Sequence, residues 1–239
     1  MTGKQNDISL RNAAIIAGFG FLISLVGAIF SGTLPKNLIV PEDATATINN
    51  LVASAGLYRA GIISWLLVIL GDIVRAWALY VFLKQVNRSL ALLSAWFMLI
   101  HDAILGVSLV NLVQVPLWAL GAGAGTSMNP EQIHTQILQL IEGFDLGFLI
   151  GLFFFSFHLA LLGLLVYRSG FIPRIFSILL FIAAAGYFAN SVGVLLDPDL
   201  PQIIWNILAG PPCLIGEMAL ILWLLFKGGR QAASPMYKE

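Results

Sequence analysis

The chain has 239 residues, of which 59% are hydrophobic and 10% are charged, and its formal net charge is zero. Soluble domains carry about 25% charged residues, so this polar deficit excludes an ordinary soluble domain. Zero net charge excludes a global field that would attract nucleic acid, and the single cysteine, Cys213, excludes an internal disulfide. The composition predicts one transmembrane domain, residues 1–239, with the lipid bilayer as its main partner.

Six apolar segments are long enough to cross a bilayer as helices, which takes about 20 residues each. In chain order they cover residues 12–33, 57–83, 89–118, 140–167, 173–196 and 202–226. The first run is longer than the apolar core of a signal peptide, so we interpret it as an uncleaved helix. The predicted fold class is an all-α, polytopic bundle of six transmembrane helices.

Basic residues predict the orientation of these spans. They cluster before the first segment, between the second and third, between the fourth and fifth, and after the sixth: Lys4, Arg11, Lys84, Arg88, Arg168, Arg174, Lys227, Arg230 and Lys238. The positive-inside rule places such clusters in the cytoplasm. Both termini are therefore predicted to be cytoplasmic.

Short helices are predicted in the two longer external loops, along the outer interface. Residues 41–43 (Pro-Glu-Asp) and 129–132 (Asn-Pro-Glu-Gln) have the proline and acidic residues that suit a first helical turn. At the same outer end, Arg59 marks the mouth of the second segment, and Glu142 and Asp145 begin the fourth. These acids are either solvated or paired with Arg59.

Ionisable side chains lie inside the apolar segments, where a charged group at the centre of a lipid-facing helix costs roughly 2.5–3.5 kcal/mol. They therefore predict a buried polar centre, made of Asp72, Arg75, His101, Asp102, His158 and Glu217. Asp72 and Arg75 are three residues apart, so they share a helix face and form a candidate ion pair. A purely structural role for that pair is an open alternative.

Two further patterns concern helix packing. Gly143, Gly147 and Gly151 form overlapping small-xxx-small motifs, which let another helix approach closely, and His158 continues that stripe. Ser94, His101 and Ser108 are spaced by seven residues on one face of the third segment. This spacing suits a water-filled path or a row of hydrogen bonds between two helices. In the last segment, Pro211 and Pro212 predict a helix break.

The sequence contains no HExxH zinc motif, no nucleophile elbow and no phosphate-binding loop, so no metal, catalytic residue or cofactor is assigned. Three functions remain. The favoured one is binding or proton-linked transport of a small solute at the polar centre. The alternatives are an intramembrane, metal-assisted enzyme with His101 and His158 as ligands, acting on a lipid or small apolar substrate, and a non-catalytic sensing or protective module. Homo-oligomerisation is left open.

Several blocks together carry a family resemblance: residues 40–47 (VPEDATAT), 86–92 (VNRSLAL), 167–174 (YRSGFIPR), Gly216-Glu217 and Lys227-Gly228. On these blocks the chain resembles a bacterial membrane family known only as a domain of unknown function (four-three-eight-six). The resemblance implies a six-helix multi-pass protein of the bacterial cytoplasmic (inner) membrane. It implies no activity and no site residues.

Overall fold

The computed structural model describes residues 8–40, 42–121, 128–196 and 210–230, with backbone alone for 33–36 and 210–213. These residues form helices and contain no β-strand. The helices are α1 (Leu10–Leu38), α2 (Ala44–Ala53), α3 (Ala55–Leu83), α4 (Arg88–Gly121), α5 (Pro130–Ser169), α6 (Arg174–Leu196) and α7 (Gly210–Phe226). The predicted all-α fold class is confirmed.

Five of these helices, α1, α3, α4, α5 and α6, are long and apolar enough to cross a membrane. The predicted sixth span, 202–226, extends into residues outside the described part of the chain. Its described portion is α7, which has 17 residues. Pro211 and Pro212 lie in the first turn of α7, where proline is well tolerated, and the predicted break would also involve 202–209, outside the described residues.

The predicted helix of the first external loop is α2, and its beginning is set by local hydrogen bonds. Asp43 is its N-cap, and the side chain accepts a hydrogen bond of 2.8 Å from the backbone N–H of Ala46. The Thr47 hydroxyl bonds back to both backbone polar groups of Val40. α2 runs almost directly into the second span, because it ends at Ala53 and α3 begins at Ala55.

The predicted helix of the second external loop is not separate, because it forms the first turns of α5. Asn129 and Gln132 make a reciprocal capping box, with 2.9 Å from Gln132 N to Asn129 Oδ1 and 3.0 Å from Asn129 N to Gln132 Oε1. No proline follows Pro130 within the helix, and α5 continues for 40 residues. The cap predicted at Asn129 therefore begins a helix that is continuous with the predicted fourth span.

The chain forms two compact units, which share helices α1, α3, α4 and α5. The first unit contains residues up to Leu22, Gly71–His101 and residues from Leu152 onward. In it, Arg11 closes the end of α7, donating hydrogen bonds to the backbone carbonyls of Leu224, Leu225 and Gly228. The Ser177 hydroxyl of α6 donates to the Gly163 carbonyl of α5 at 2.8 Å.

The second unit contains Ile23–Leu70 and Asp102–Gly151. One of its hydrophobic clusters joins Leu51 of α2 and Tyr58 of α3 to Val115, Ala119, Ile133 and Ile137. Another is built on Trp65, Val68, Leu105, Leu109, Leu112 and Phe144. These clusters fix α2, α3, α4 and α5 against one another within the unit.

Candidate functional site

An ion pair lies at the centre of the first unit. Arg75 Nη2 is 2.9 Å from Asp72 Oδ1, one turn apart on α3. Both residues are buried, with 3% of Arg75 and 4% of Asp72 exposed. Burying two charges is tolerable only when they are paired and further contacts surround them.

Aromatic and sulfur groups supply those further contacts to Arg75. Its guanidinium carbon lies 4.2 Å from the ring centroid of Phe21 and 5.8 Å from that of Phe155. Arg75 Nη2 also donates to Met98 Sδ at 3.2 Å. Desolvated cation–π contacts are worth about 2 kcal/mol or more, so these rings offset part of the desolvation of the guanidinium.

A close helix contact brings Phe21 onto Arg75. A Cβ atom on Gly20 of α1 would lie 2.8 Å from the Gly71 carbonyl oxygen and 3.0 Å from Arg75 Cβ. Only glycine allows α1 to approach α3 this closely at that level. The next residue, Phe21, is thereby placed over the guanidinium.

Phe155 of α5 is the common neighbour of the charged and titratable side chains. Its ring centroid is 5.2 Å from that of His101 and 5.8 Å from that of His158. Tyr187 of α6 contacts the same ring at 5.4 Å. Together with Arg75, these residues surround one phenyl ring with polar groups from four helices, α3, α4, α5 and α6.

His158 is held against α4 by Ser94. The imidazole Nδ1 is 2.9 Å from the Ser94 carbonyl oxygen and 3.0 Å from Ser94 Oγ, and Ser94 Oγ donates to the His158 carbonyl at 3.3 Å. A carbonyl can only accept, so Nδ1 carries the proton and Nε2 of the neutral ring is an acceptor. His158 and Ser94 thus link α5 to α4 by interhelical hydrogen bonds.

Two buried nitrogen atoms of this centre have no hydrogen-bond partner among the described residues: Arg75 Nε and His158 Nε2. Leaving a buried donor or acceptor unpaired costs about 1–3 kcal/mol. One atom is a donor and the other an acceptor. The centre therefore offers complementary polar groups to a small polar molecule.

Asp102 and Glu217 are the other two predicted members of the polar centre. Asp102 is 3% exposed and begins the α4 segment that belongs to the second unit. Glu217 lies on α7 in the first unit and is half-buried. Asp72, Arg75, His101 and His158 are the four predicted residues that the first unit brings into one buried region.

The glycine stripe of α5 packs on polar residues of α4 inside the second unit. A Cβ atom on Gly147 would overlap the Ser108 hydroxyl, and one on Gly143 would lie 3.1 Å from Asn111 Nδ2. Gly151 is buried on the same stripe. The polar face of α4 therefore serves helix packing at these positions.

At the predicted outer mouth, Arg59, Glu142 and Asp145 are all exposed. Asp145 lies at a cavity of about 230 Å³ whose lining includes Trp65, Phe144 and Phe148. The centroid distances between these three rings are 5.5–6.1 Å. The acids at the start of the predicted fourth span thus lie on the surface and outside the buried centre.

Sequence reasoning missed Phe21, Met98 and Phe155, the residues that surround Arg75. Each lies in an apolar run, where nothing distinguishes a ring that covers a guanidinium from one that packs in the core. The one usable signal was Gly20 beside Phe21, because small residues on a membrane helix let a neighbouring helix approach closely.

An all-α fold with five helices of spanning length, and ionisable residues buried within them, defines a multi-pass membrane protein. The chain belongs to the family described as a domain of unknown function (DUF4386), whose model matches residues 16–228. It is also similar to an uncharacterized protein of Archaeoglobus fulgidus, with 29% identity over 167 residues, covering 70% of this chain and 83% of that protein. No solved structure matches this chain.

Proposed function

We propose that this membrane protein binds a small polar solute at the buried centre formed by Asp72, Arg75, His101 and His158, and transports it together with protons. It acts in the cytoplasmic membrane with both termini in the cytoplasm. The carrying observation is the pair of unpartnered, buried nitrogens, Arg75 Nε and His158 Nε2.

Burial gives those nitrogens their value as ligand-binding groups. Most buried polar atoms in folded proteins have a hydrogen-bond partner, so an unpaired donor and an unpaired acceptor in one region favour a ligand that pairs with them. The fixed tautomer of His158 adds selectivity, because Nε2 accepts a hydrogen bond from a solute hydroxyl, amide or ammonium group. Arg75 Nε donates to an oxygen of the same solute.

The proton-linked part of the proposal rests on Asp72 and His101. A carboxylate oxygen of Asp72 and a ring nitrogen of His101 lie within 4.8 Å of each other. One water molecule or solute hydroxyl can bridge such a separation, which allows the two side chains to act as an acid–base relay. Carboxylate and imidazole groups inside a membrane are the usual components of proton relays.

The proposed orientation follows from the ends of the helices. Arg11, Lys84, Arg88, Arg168 and Arg174 lie at α1, at the turn between α3 and α4, and at the turn between α5 and α6. An excess of lysine and arginine marks the cytoplasmic side of a membrane protein.

The binding step is tested with purified, full-length protein in detergent and a panel of small polar compounds, scored by the shift in melting temperature. We expect a stabilising compound for the wild type and no shift for Arg75→Lys, which keeps the positive charge but removes the Nε donor. Ser64→Ala removes a hydrogen bond to the Gly27 carbonyl in the second unit and is the control. An equal shift for Arg75→Lys and Ser64→Ala would place the binding site elsewhere.

The transport step is tested in liposomes with the radiolabelled stabilising compound and an imposed pH gradient. We expect uptake to increase when the donor side is acidic. Asp72→Asn/Arg75→Gln, which removes both charges together, should abolish that increase. Uptake that ignores the gradient in the wild type would remove the proton linkage and leave a binding protein.

A further inference from the structure

The first unit contains a second polar feature, separate from the buried centre. A cavity of about 430 Å³ lies beside the turn between α3 and α4, lined by Leu10, Tyr80, Val81, Lys84, Gln85 and Arg88. We infer that this cavity binds the phosphate headgroup of an anionic phospholipid.

The charge of the lining carries the inference. Lys84 and Arg88 are basic, and the other four lining residues are uncharged. Lys84 is half-buried and Arg88 is exposed, and they lie on either side of the turn between α3 and α4. Basic pockets at the ends of transmembrane helices attract anionic headgroups.

The backbone adds to the positive character of this cavity. Leu10 and Arg88 are the first residues of α1 and α4, where the helix dipole favours an anion. Ser9 Oγ and Asn87 Oδ1 each accept from one N–H group of these first turns. At the end of α3, hydrogen bonds occupy three carbonyl oxygens that would otherwise repel an anion. Lys84 N bonds Tyr80 O, Gln85 Nε2 bonds Phe82 O, and Val86 N bonds Leu83 O.

A third basic residue, Arg11, lies close in sequence to the cavity but does not line it. It is next to Leu10 in the chain, yet its guanidinium is engaged with three carbonyl groups at the end of α7. The basic side chains among the lining residues are those of Lys84 and Arg88.

The apolar part of the lining favours a lipid over a free anion. Leu10 and Val81 lie beside the basic residues. A phospholipid has its glycerol and first acyl carbons next to the phosphate, so it satisfies both kinds of surface. A soluble phosphate would leave the apolar part in contact with water, at a loss of about 25 cal/mol per Å² of apolar area.

The test uses full-length protein in a neutral detergent, titrated with dioleoyl phosphatidylglycerol or dioleoyl phosphatidylcholine and followed by thermal unfolding. We expect the anionic lipid to half-saturate the protein at a lower concentration than the zwitterionic lipid. In Lys84→Gln/Arg88→Gln that concentration should rise about thirtyfold, which corresponds to roughly 2 kcal/mol for two juxtamembrane charges. High salt should weaken the preference.

The chain supplies a matched control in its other basic turn. Arg168→Gln/Arg174→Gln removes two exposed arginines near the turn between α5 and α6 and should leave the lipid preference within about twofold of the wild type. The charge-preserving swap Lys84→Arg/Arg88→Lys should also retain it. If Lys84→Gln/Arg88→Gln does not fold, Arg88→Gln alone, with an exposed side chain, should weaken binding about fivefold.

Three results would overturn the inference. The first is equal binding of the two lipids to the wild type. The second is an equal loss of preference in both double glutamine variants, which would indicate diffuse surface charge. The third is protection by glycerol phosphate at the concentration that suffices for phosphatidylglycerol, which would indicate a soluble anion.

Discussion

His158 Nδ1 on α5 donates to the backbone carbonyl of Ser94 on α4, while the Ser94 hydroxyl donates to the backbone carbonyl of His158. Each side chain thus donates a hydrogen bond to a backbone carbonyl of the other helix. This exchange fixes both the position of the imidazole and its tautomer. It explains how a histidine is accommodated in the interior of a chain with so few polar groups.

Ser94→Ala should lower the free energy of unfolding by about 1 kcal/mol. It removes the hydroxyl that donates to the His158 carbonyl and contacts Nδ1, and it retains the bond from Nδ1 to the Ser94 carbonyl. Ser89→Ala is the matched control, since Ser89 is exposed near the beginning of the same helix. Thermal unfolding of both variants in detergent measures the difference. Equal melting temperatures would show that the hydroxyl of Ser94 contributes nothing.

The two charges of the Asp72–Arg75 pair should depend on each other for stability. Asp72→Asn or Arg75→Gln alone leaves one buried charge without its partner, and we expect each to destabilise the protein by about 3–5 kcal/mol. The double variant Asp72→Asn/Arg75→Gln should be more stable than either single variant. Denaturation of all four proteins tests this order, and additive losses would contradict the pairing.

Gly147→Ala should destabilise the protein by about 1–3 kcal/mol, because the new methyl group would overlap the Ser108 hydroxyl and force α4 and α5 apart. Gly32→Ala is the control, since a Cβ atom at Gly32 meets nothing within 4 Å. Alanine at that position should be neutral or stabilising, as it generally is in a helix. The prediction fails if both variants melt at the same temperature.

Arg11→Met should free the end of α7, because three backbone carbonyls lose their donor. Hydrogen–deuterium exchange should then rise in the last turns of α7, whereas Arg168→Met should leave this exchange unchanged. Faster exchange across the whole chain would instead indicate global destabilisation.

Metal analysis of gently extracted protein should find zinc and iron well below one ion per chain. A divalent cation bound to Asp72 would share the carboxylate with the Arg75 guanidinium, which is 2.9 Å from it, and the two positive charges would repel each other in a buried site. Treatment with a chelator should leave the melting temperature unchanged. Stoichiometric metal, with loss of stability on chelation, would favour the metal-assisted enzyme over the carrier.

The sequence predicted the helices well because hydropathy and capping signals are local. The spans 57–83 and 173–196 differ from α3 and α6 by at most two residues at each end. The sequence was less informative about whether two neighbouring helical segments join into one helix. The cap at Asn129 was identified, yet its fusion with the following span depends on the absence of a break over 40 residues.

The candidate site was predictable in its charges but not in its surroundings. An ionisable residue stands out in an apolar chain, so Asp72, Arg75 and His158 were found directly. Phe155 could not be found, because its role depends on three helices meeting at one ring, and helix rotation is not encoded in hydropathy. Glu217 was found in the same way, and its half-buried position on α7 depends on helix rotation, which hydropathy does not encode.

Because α5 begins at the capping box of Asn129, it is longer than the hydrocarbon core of a bilayer is thick. Forty helical residues extend about 60 Å, roughly twice the thickness of the hydrocarbon core of a bilayer. If the basic end at Arg168 is held at one headgroup layer, the first several turns must stand in water beyond the opposite layer. A cysteine introduced at exposed Glu131 would then react with a membrane-impermeant maleimide added to intact cells, giving a direct chemical measure of sidedness.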